Sequence, residues 1–403
     1  MPPREFRRPA ELPVAPAPST LPPPPATEAP SPFAATGRLG PTPPSAQTTT
    51  ISPGKLTLPV LLHAAVQKGA SDLHLSATIP PTLRMDGFLQ PLPFPPLAAD
   101  DCRRLVYSVM TDDQKTKYET NWELDFSLEI EKTGRFRVNV HRQRGSTEAA
   151  FRVVNDVIQP IRRLGLPPVV EELARRDSGL VLVTGPTGSG KTTSLAAMVD
   201  LINSERQCMI VTIEDPIEYV HANKRSIVKQ REVTSDTKSF GAALRHVLRQ
   251  DPDVIVIGEM RDLETISTAL TAAETGHLVL ATLHTPDAMQ TIDRVIDVFP
   301  PHQQQQVRIQ LANSLEGIIS QQLLPIPGAK GRVVAVEILV STTAIRKIIR
   351  VAKTEQITST IQTSWELGMI TMDKSLKNLY AQGLITYDDA ISKCRYPENF
   401  DQI

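Results

Sequence analysis

Residues 185–192 read Gly185-Pro186-Thr187-Gly188-Ser189-Gly190-Lys191-Thr192 and fit the pattern G-x-x-x-x-G-K-S/T. They directly follow the apolar run Leu180, Val181, Leu182, Val183, and a helix is expected from Thr193 onward. A strand before and a helix after is the setting in which this pattern wraps phosphate. The glycines let successive backbone N–H groups turn toward an anion, and the helix adds the positive end of its dipole. Lys191 then reaches the β- and γ-phosphates, Thr192 offers its hydroxyl to Mg²⁺, and Thr193 joins the binding set from the first helical turn. A bound nucleoside triphosphate is the expectation. It leaves kinase, GTPase, transporter and motor open.

Carboxylates stand at two further strand ends. Strand 209–213 runs into Glu214-Asp215-Pro216-Ile217-Glu218, and strand 254–257 into Gly258-Glu259. Carboxyl ends of strands are where doubly wound sheets bind ligands. Glu259 stands where a P-loop ATPase places its second-strand acid, serving Mg²⁺ directly or through water, although Asp is commoner there. Of Glu214 and Glu218, Glu218 is the choice to polarise an attacking water, with Pro216 stiffening the loop between them. Solvated loop acids are the alternative for each.

His277 and His284 flank strand 278–281. A γ-phosphate sensor or a relay to a neighbouring domain is one reading, and an ordinary packed or exposed histidine the other. Metal binding is disfavoured, because no companion ligands lie at useful spacing. Residues 135–144 place Arg135, Arg137, His141, Arg142 and Arg144 along one strand, with Arg152 on the next. Nucleic acid, a solvated basic face, or a guanidinium cluster aimed at phosphates would each use such a pattern.

Positioning these groups requires two folded parts. Leu58, Leu61, Leu62 and Ala65 have helical spacing and lead into an alternating strand at 71–76. Leu83 and Arg84 with the Asp86-Gly87 turn, then 126–130, 136–140 and 149–154, supply further strands, with a helix near 101–110. The expectation is an α+β domain over 53–158. Pro160, Pro167 and Pro168 mark a linker at 159–168. Beyond it, apolar strands at 180–183, 209–213, 254–257 and 278–281 alternate with helical segments, so 169–403 reads as a parallel sheet covered on both faces. From about Thr342 the sequence is mostly helical. Prolines crowd residues 1–52, including Pro22 to Pro25, with few large apolar side chains, so an extended disordered tail is expected there.

Composition narrows the class. The 403-residue chain is long enough for two or three domains, and a formal net charge of −1 does not call for nucleic acid as a partner. Cys102, Cys208 and Cys394 are far apart and form no C-x-x-C pair, which indicates neither a disulfide framework nor a zinc site and suits a reducing cytosol. Signal-peptide and membrane-span patterns are not found, so membrane association is expected through a partner.

Four motifs in order resemble the secretion ATPases of type II and type IV pilus systems, and within them the retraction ATPases of the PilT type. These are the Walker A loop 185–192, the acidic box 213–219, the Walker B strand ending Gly258-Glu259-Met260-Arg261-Asp262, and the histidine box 275–285. The resemblance runs from about Leu58 to the C-terminus. It implies a PAS-like N-terminal domain joined to a RecA-like ATPase domain, ATP between them, and a homohexamer at the cytoplasmic base of a pilus machine. Implied partners are an inner-membrane platform protein and a second retraction ATPase.

On this sequence the family roles fall on Lys191 and Thr192 for phosphate and Mg²⁺, Glu218 as base, Glu259 as the Walker B acid, and Arg137 and Arg152 as phosphate-reaching arginines. His277 and His284 match the histidine box. Residues 344–350 and 368–376 resemble the C-terminal region of retraction ATPases, and the chain lacks the tetracysteine zinc insertion usual in assembly ATPases. It departs at Val351-Ala352-Lys353, where relatives often have an acidic residue and then Gly. A RecA-like recombinase or packaging motor is the competing class, distinguished by DNA-stimulated, salt-sensitive turnover.

Overall fold

Alternation along β5 (Gly134–Gln143) buries Phe136, Val138 and Val140 on one face and leaves Arg135, Arg137 and Asn139 on the other. In the computed structural model, which describes residues 56–402 other than Asp86, Asn155, Asp156 and Lys330, this strand belongs to a smaller sheet. The expected tail at 1–52 and Asp86 of the turn before Gly87 lie outside the described residues. The sheet is six-stranded and antiparallel, in the order β3-β2-β1-β6-β5-β4. Its members besides β5 are β1 (Asp72–Leu75), β2 (Thr82–Met85), β3 (Phe88–Pro91), β4 (Glu123–Ile130) and β6 (Ser146–Val153).

The apolar stripe of α1 (Leu58–Gln67) and Cys102, Leu105 and Val106 of α2 (Ala99–Tyr107) cover the buried face. Two elements of this part show no hydrophobic periodicity. All four residues of β3 are exposed, so no alternation marks it. In α3 (Asp112–Asn121) Tyr118 alone is buried, and the helix is announced by a capping box between Thr111 and Gln114 rather than by periodicity.

Residues 159–168 lie between β6 and the second sheet and contribute to its core. Ile161 and Leu166 are buried with Val170 and Leu173 of α4 (Val169–Ala174) against that sheet. The sheet has seven strands in the order β13-β12-β7-β11-β10-β8-β9, parallel except for β13. In chain order its parts are β7 (Gly179–Thr184), α5 (Lys191–Glu205), β8 (Met209–Glu214), β9 (Ile227–Glu232), α6 (Phe240–Val247), β10 (Val254–Ile257), α7 (Leu263–Glu274) and β11 (Leu278–Leu283). Then follow α8 (Ala288–Asp297), α9 (Pro301–Ser314), β12 (Leu315–Pro325) and β13 (Arg332–Val340).

Leu180 and Leu182 of β7 face a core built with α6 to α9, whereas Val181 and Val183 face α4 and α5. Burial on both faces explains the unbroken apolar runs. Strands β9, β12 and β13 enlarge the sheet beyond the four expected.

Among the described residues four α-helices follow β13, with short 3-10 turns between and after them: α10 (Thr343–Arg350), α11 (Ile357–Thr363), α12 (Met372–Ala381) and α13 (Tyr387–Lys393). Helix α10 buries Ile345, Ile348 and Ile349, and its Arg346 is bound inward to the Asn313 carbonyl at 2.6 Å and Glu316 at 2.8 Å. The helix ends with Lys353 N–H on the Ile348 carbonyl and Ala352 left-handed at φ 57°, the position a glycine normally fills. A side chain there costs about 1 kcal/mol more than Gly. Ala352→Gly should therefore raise the denaturant midpoint by a corresponding amount, and an unchanged or lower midpoint in equilibrium unfolding would contradict this account.

Candidate functional site

Parallel strands β7, β11, β10 and β8 all end toward one edge of the larger sheet, so the groups that follow them converge. They line a cleft of about 570 Å³ that also takes in Arg137 and Arg152 from the smaller sheet.

The loop after β7 can turn because its glycines carry no side chain. Gly185 has φ 137°, and a Cβ there would lie 2.6 Å from Ser189 Oγ. Gly190, at φ 90°, caps α5. Thr187, Gly188, Gly190, Lys191, Thr192 and Thr193 line the cleft, while Gly185, Pro186 and Ser189 shape the loop behind them. Lys191 is 8 % exposed, and its Nζ donates to the carbonyls of Gly185 at 2.7 Å and Pro186 at 3.0 Å. Burial pulls the Lys191 pKa down, opposed by the charges of Glu259 and Glu218. The Thr193 hydroxyl lies 2.9 Å from that of Tyr219, which ties the helix start to the acidic loop.

Glu259 meets Arg261 through both carboxylate oxygens, each at 2.6 Å, and His284 Nε2 at 3.1 Å. Burial alone would raise its pKa, but Arg261 and His284 together hold it below the ordinary value. His284 Nδ1 lies 3.5 Å from Lys191 Nζ, so one imidazole spans the phosphate-loop lysine and the second-strand acid. A ring protonated on Nε2 satisfies both contacts.

Glu214 and Glu218 are set apart by their surroundings. Burial raises the pKa of Glu214, whose carboxylate accepts from Thr212 Oγ1 at 2.6 Å and Gln230 Nε2 at 3.0 Å. Glu218 is more open, and its Oε1 meets Arg137 NH1 at 3.2 Å across the cleft. Arg137 and Arg152 are direct cross-strand partners, and Arg152 Nε is held by Asp72 at 2.9 Å.

His277 does not join this group. It precedes β11 whereas His284 follows it, and about 3.3 Å per strand residue separates them by roughly 20 Å. Its Nδ1 approaches the Ala272 carbonyl at 3.0 Å, at the end of α7. A catalytic place for His277 in this cleft is therefore corrected by the polarity of the strand. Arg135 is likewise no free phosphate ligand, because it is paired with Glu232 at 2.8 Å. Asp72 and Glu232, which anchor the arginines, were missed: each lies on a strand whose site-facing role depends on contacts far away in sequence.

A phosphate-binding loop and helix, with Glu218, Glu259 and His284 beside it on neighbouring strand ends, define an α/β ATPase of the P-loop class. Among the described residues no helix is long and apolar enough to cross a membrane. The chain belongs to the type II/IV secretion system protein family, whose profile matches residues 52–391. It is 50% identical over 340 residues to the type IV pilus retractation ATPase PilT of Pseudomonas aeruginosa, covering 84% of this chain and 98% of that one. It is 44% identical over 342 residues to a twitching motility protein of Neisseria gonorrhoeae, covering 85% and 91%. The crystal structure of the pilus retraction motor PilT with bound ADP superposes with a TM-score of 0.82 at 51% identity, over 87% of this chain and 100% of that one.

Proposed function

We propose that this ATPase powers type IV pilus retraction and twitching movement, working as a homohexamer on the cytoplasmic side of the membrane against an inner-membrane platform protein, with a second retraction ATPase as a further partner. The observation that carries the mechanism is the contact between Arg137 of the smaller sheet and Glu218 of the larger one, across the cleft that Lys191 faces. In this reading 53–158 is a PAS-like domain, 169–403 a RecA-like domain, and ATP lies between them.

The donor set suits Mg²⁺, which keeps most of its water and phosphate ligands and takes one or two from protein. Thr192 would supply a hydroxyl and Glu259 a carboxylate, and the ion would neutralise charge on the β- and γ-phosphates. Lys191 grips the same phosphates and Glu218 orients and deprotonates the attacking water. His284 senses the γ-phosphate from beside Glu259, and Arg137 and Arg152 stabilise the charge that spreads over the transferring group. Glu214 braces the strand end rather than acting on water, since it is set back by burial and its Oε1 already accepts from Thr212 and Gln230. Phosphates that bridge Lys191 and the arginines favour a closed angle between the two parts, and product release lets it open.

Arg346, bound inward, holds α10 in place; Lys347 and Arg350 are the exposed basic groups of that helix and the better candidates for contact with a partner. Deleting the gene should leave surface pili in place and abolish twitching, while the purified protein should hydrolyse ATP at a hexamer's mass. A deletion strain without surface pili would make it an assembly motor, and DNA-dependent turnover would favour the nucleic-acid class.

A further inference from the structure

Glu232 ends β9, the edge strand of the larger sheet, yet it is 4 % exposed. Its carboxylate accepts from Arg135 NH2 at 2.8 Å, Ser127 Oγ at 2.7 Å, the Ile217 backbone N–H at 3.0 Å and Ser235 Oγ at 3.1 Å. Two of these donors bracket Arg137. Arg135 precedes it by two residues on the same face of β5, and Ser127 of β4 is its direct cross-strand partner. A third, Ile217, is the residue before Glu218. One buried carboxylate thus fastens the immediate surroundings of both members of the Arg137–Glu218 contact, joining segments 97 or more residues apart.

We infer that Glu232 is a positioning residue for hydrolysis: it fixes where Arg137 and Glu218 stand relative to each other without touching the nucleotide. This rests on the reading that Arg137 and Glu218 serve the reaction. The chemistry favours a carboxylate over any neutral group. Arg135 is largely buried and must be neutralised, and an ionised carboxylate can accept from all four donors at once, whereas a carboxamide has one oxygen and adds an NH2 that would face donors. Misplacement of a reacting group by about 1 Å can cost on the order of 10²-fold in rate, so a clamp two residues away can act strongly on turnover and weakly on binding.

The test is a double-mutant cycle on the full chain, measuring kcat for ATP and the Kd for ADP in Glu232→Gln, Arg137→Ala and the pair. Glu232→Gln should lower kcat on the order of tenfold with the ADP Kd unchanged. In the Arg137→Ala background the same exchange should cost several-fold less, because one of the two groups it positions is gone and only the Ile217–Glu218 segment is left for it to hold. Glu232→Asp, which keeps the charge and shortens the reach, should fall between wild type and Gln. It also carries the test if the Gln variant does not fold.

Wild-type kcat in a folded Glu232 variant overturns the inference. So does an equal fold-loss with and without Arg137, which would mark a general structural role. Full turnover in Arg137→Ala alone would instead remove the role proposed for Arg137, and the inference with it.

Discussion

Exchanging Glu259 for Gln is expected to leave ATP bound and to cut its hydrolysis on the order of 100-fold or more. The size follows from charge at constant shape. Glu259 is held ionised: burial would push its pKa up, yet two contacts from Arg261 and one from His284 outweigh burial and hold it below the ordinary carboxylate value. The stabilisation from those ion pairs is complete above the unfolded value and is lost only as pH falls through the lower folded one.

Gln fills the same space with no charge to offer a metal-bound nucleotide. Its amide would also meet His284 Nε2–H, donor against donor, or turn away from Arg261. Binding should survive, because Lys191, the loop N–H groups and the arginines are untouched. Phosphate release measured beside retention of labelled ATP separates the two properties. A Glu259→Gln protein that turns over at wild-type rate would remove this residue from the chemistry.

Local, continuous features were legible in the sequence, and features completed across space were not. The loop 185–192 carries its chemistry within eight residues, and strands β7, β10 and β11 announce themselves by burial on both faces. Strand β12 carries the polar run Ser320-Gln321-Gln322, which interrupts its apolar residues. Ser320 and Gln321 are fully buried because Ser320 Oγ accepts from Thr184 Oγ1 at 2.8 Å and Gln321 Nε2 donates to Ser194 Oγ at 2.7 Å. Buried polar groups whose partners lie far away in sequence leave no apolar pattern. Strand β9 hid for a related reason: Lys229, Gln230 and Arg231 occupy an edge, and Glu232 gains its meaning from β4 and β5.

The two histidines show the converse error. Spacing made His277 and His284 look equivalent, and only the direction of a parallel strand, carboxyl end toward the ligand, separates them. Arginines 135 and 137, on one face by alternation, were also separated by their partners: a buried carboxylate for one, an open cleft for the other.

Lys191→Ala should act on the other half of the reaction, weakening ATP and ADP binding by on the order of 100-fold, about 3 kcal/mol, the usual cost of removing one partner of a desolvated charge pair. The lysine is 8 % exposed, and its ammonium is already placed by the Gly185 and Pro186 carbonyls at the mouth of the loop. Little ordering remains to be done when phosphate arrives. Alanine removes the charge and also leaves those two carbonyls without their donor, so both the grip and the shape of the loop suffer.

Lys191→Arg should not rescue binding, since a planar fork cannot sit where a compact ammonium meets two carbonyls and His284 at 3.5 Å. Titration with a fluorescent ADP derivative reads the effect directly. The contrast with Glu259→Gln is the decisive part, because a cleft that binds through one residue and hydrolyses through another must lose the two properties separately. Wild-type ADP affinity in Lys191→Ala would mean that the backbone of the loop alone holds the phosphates.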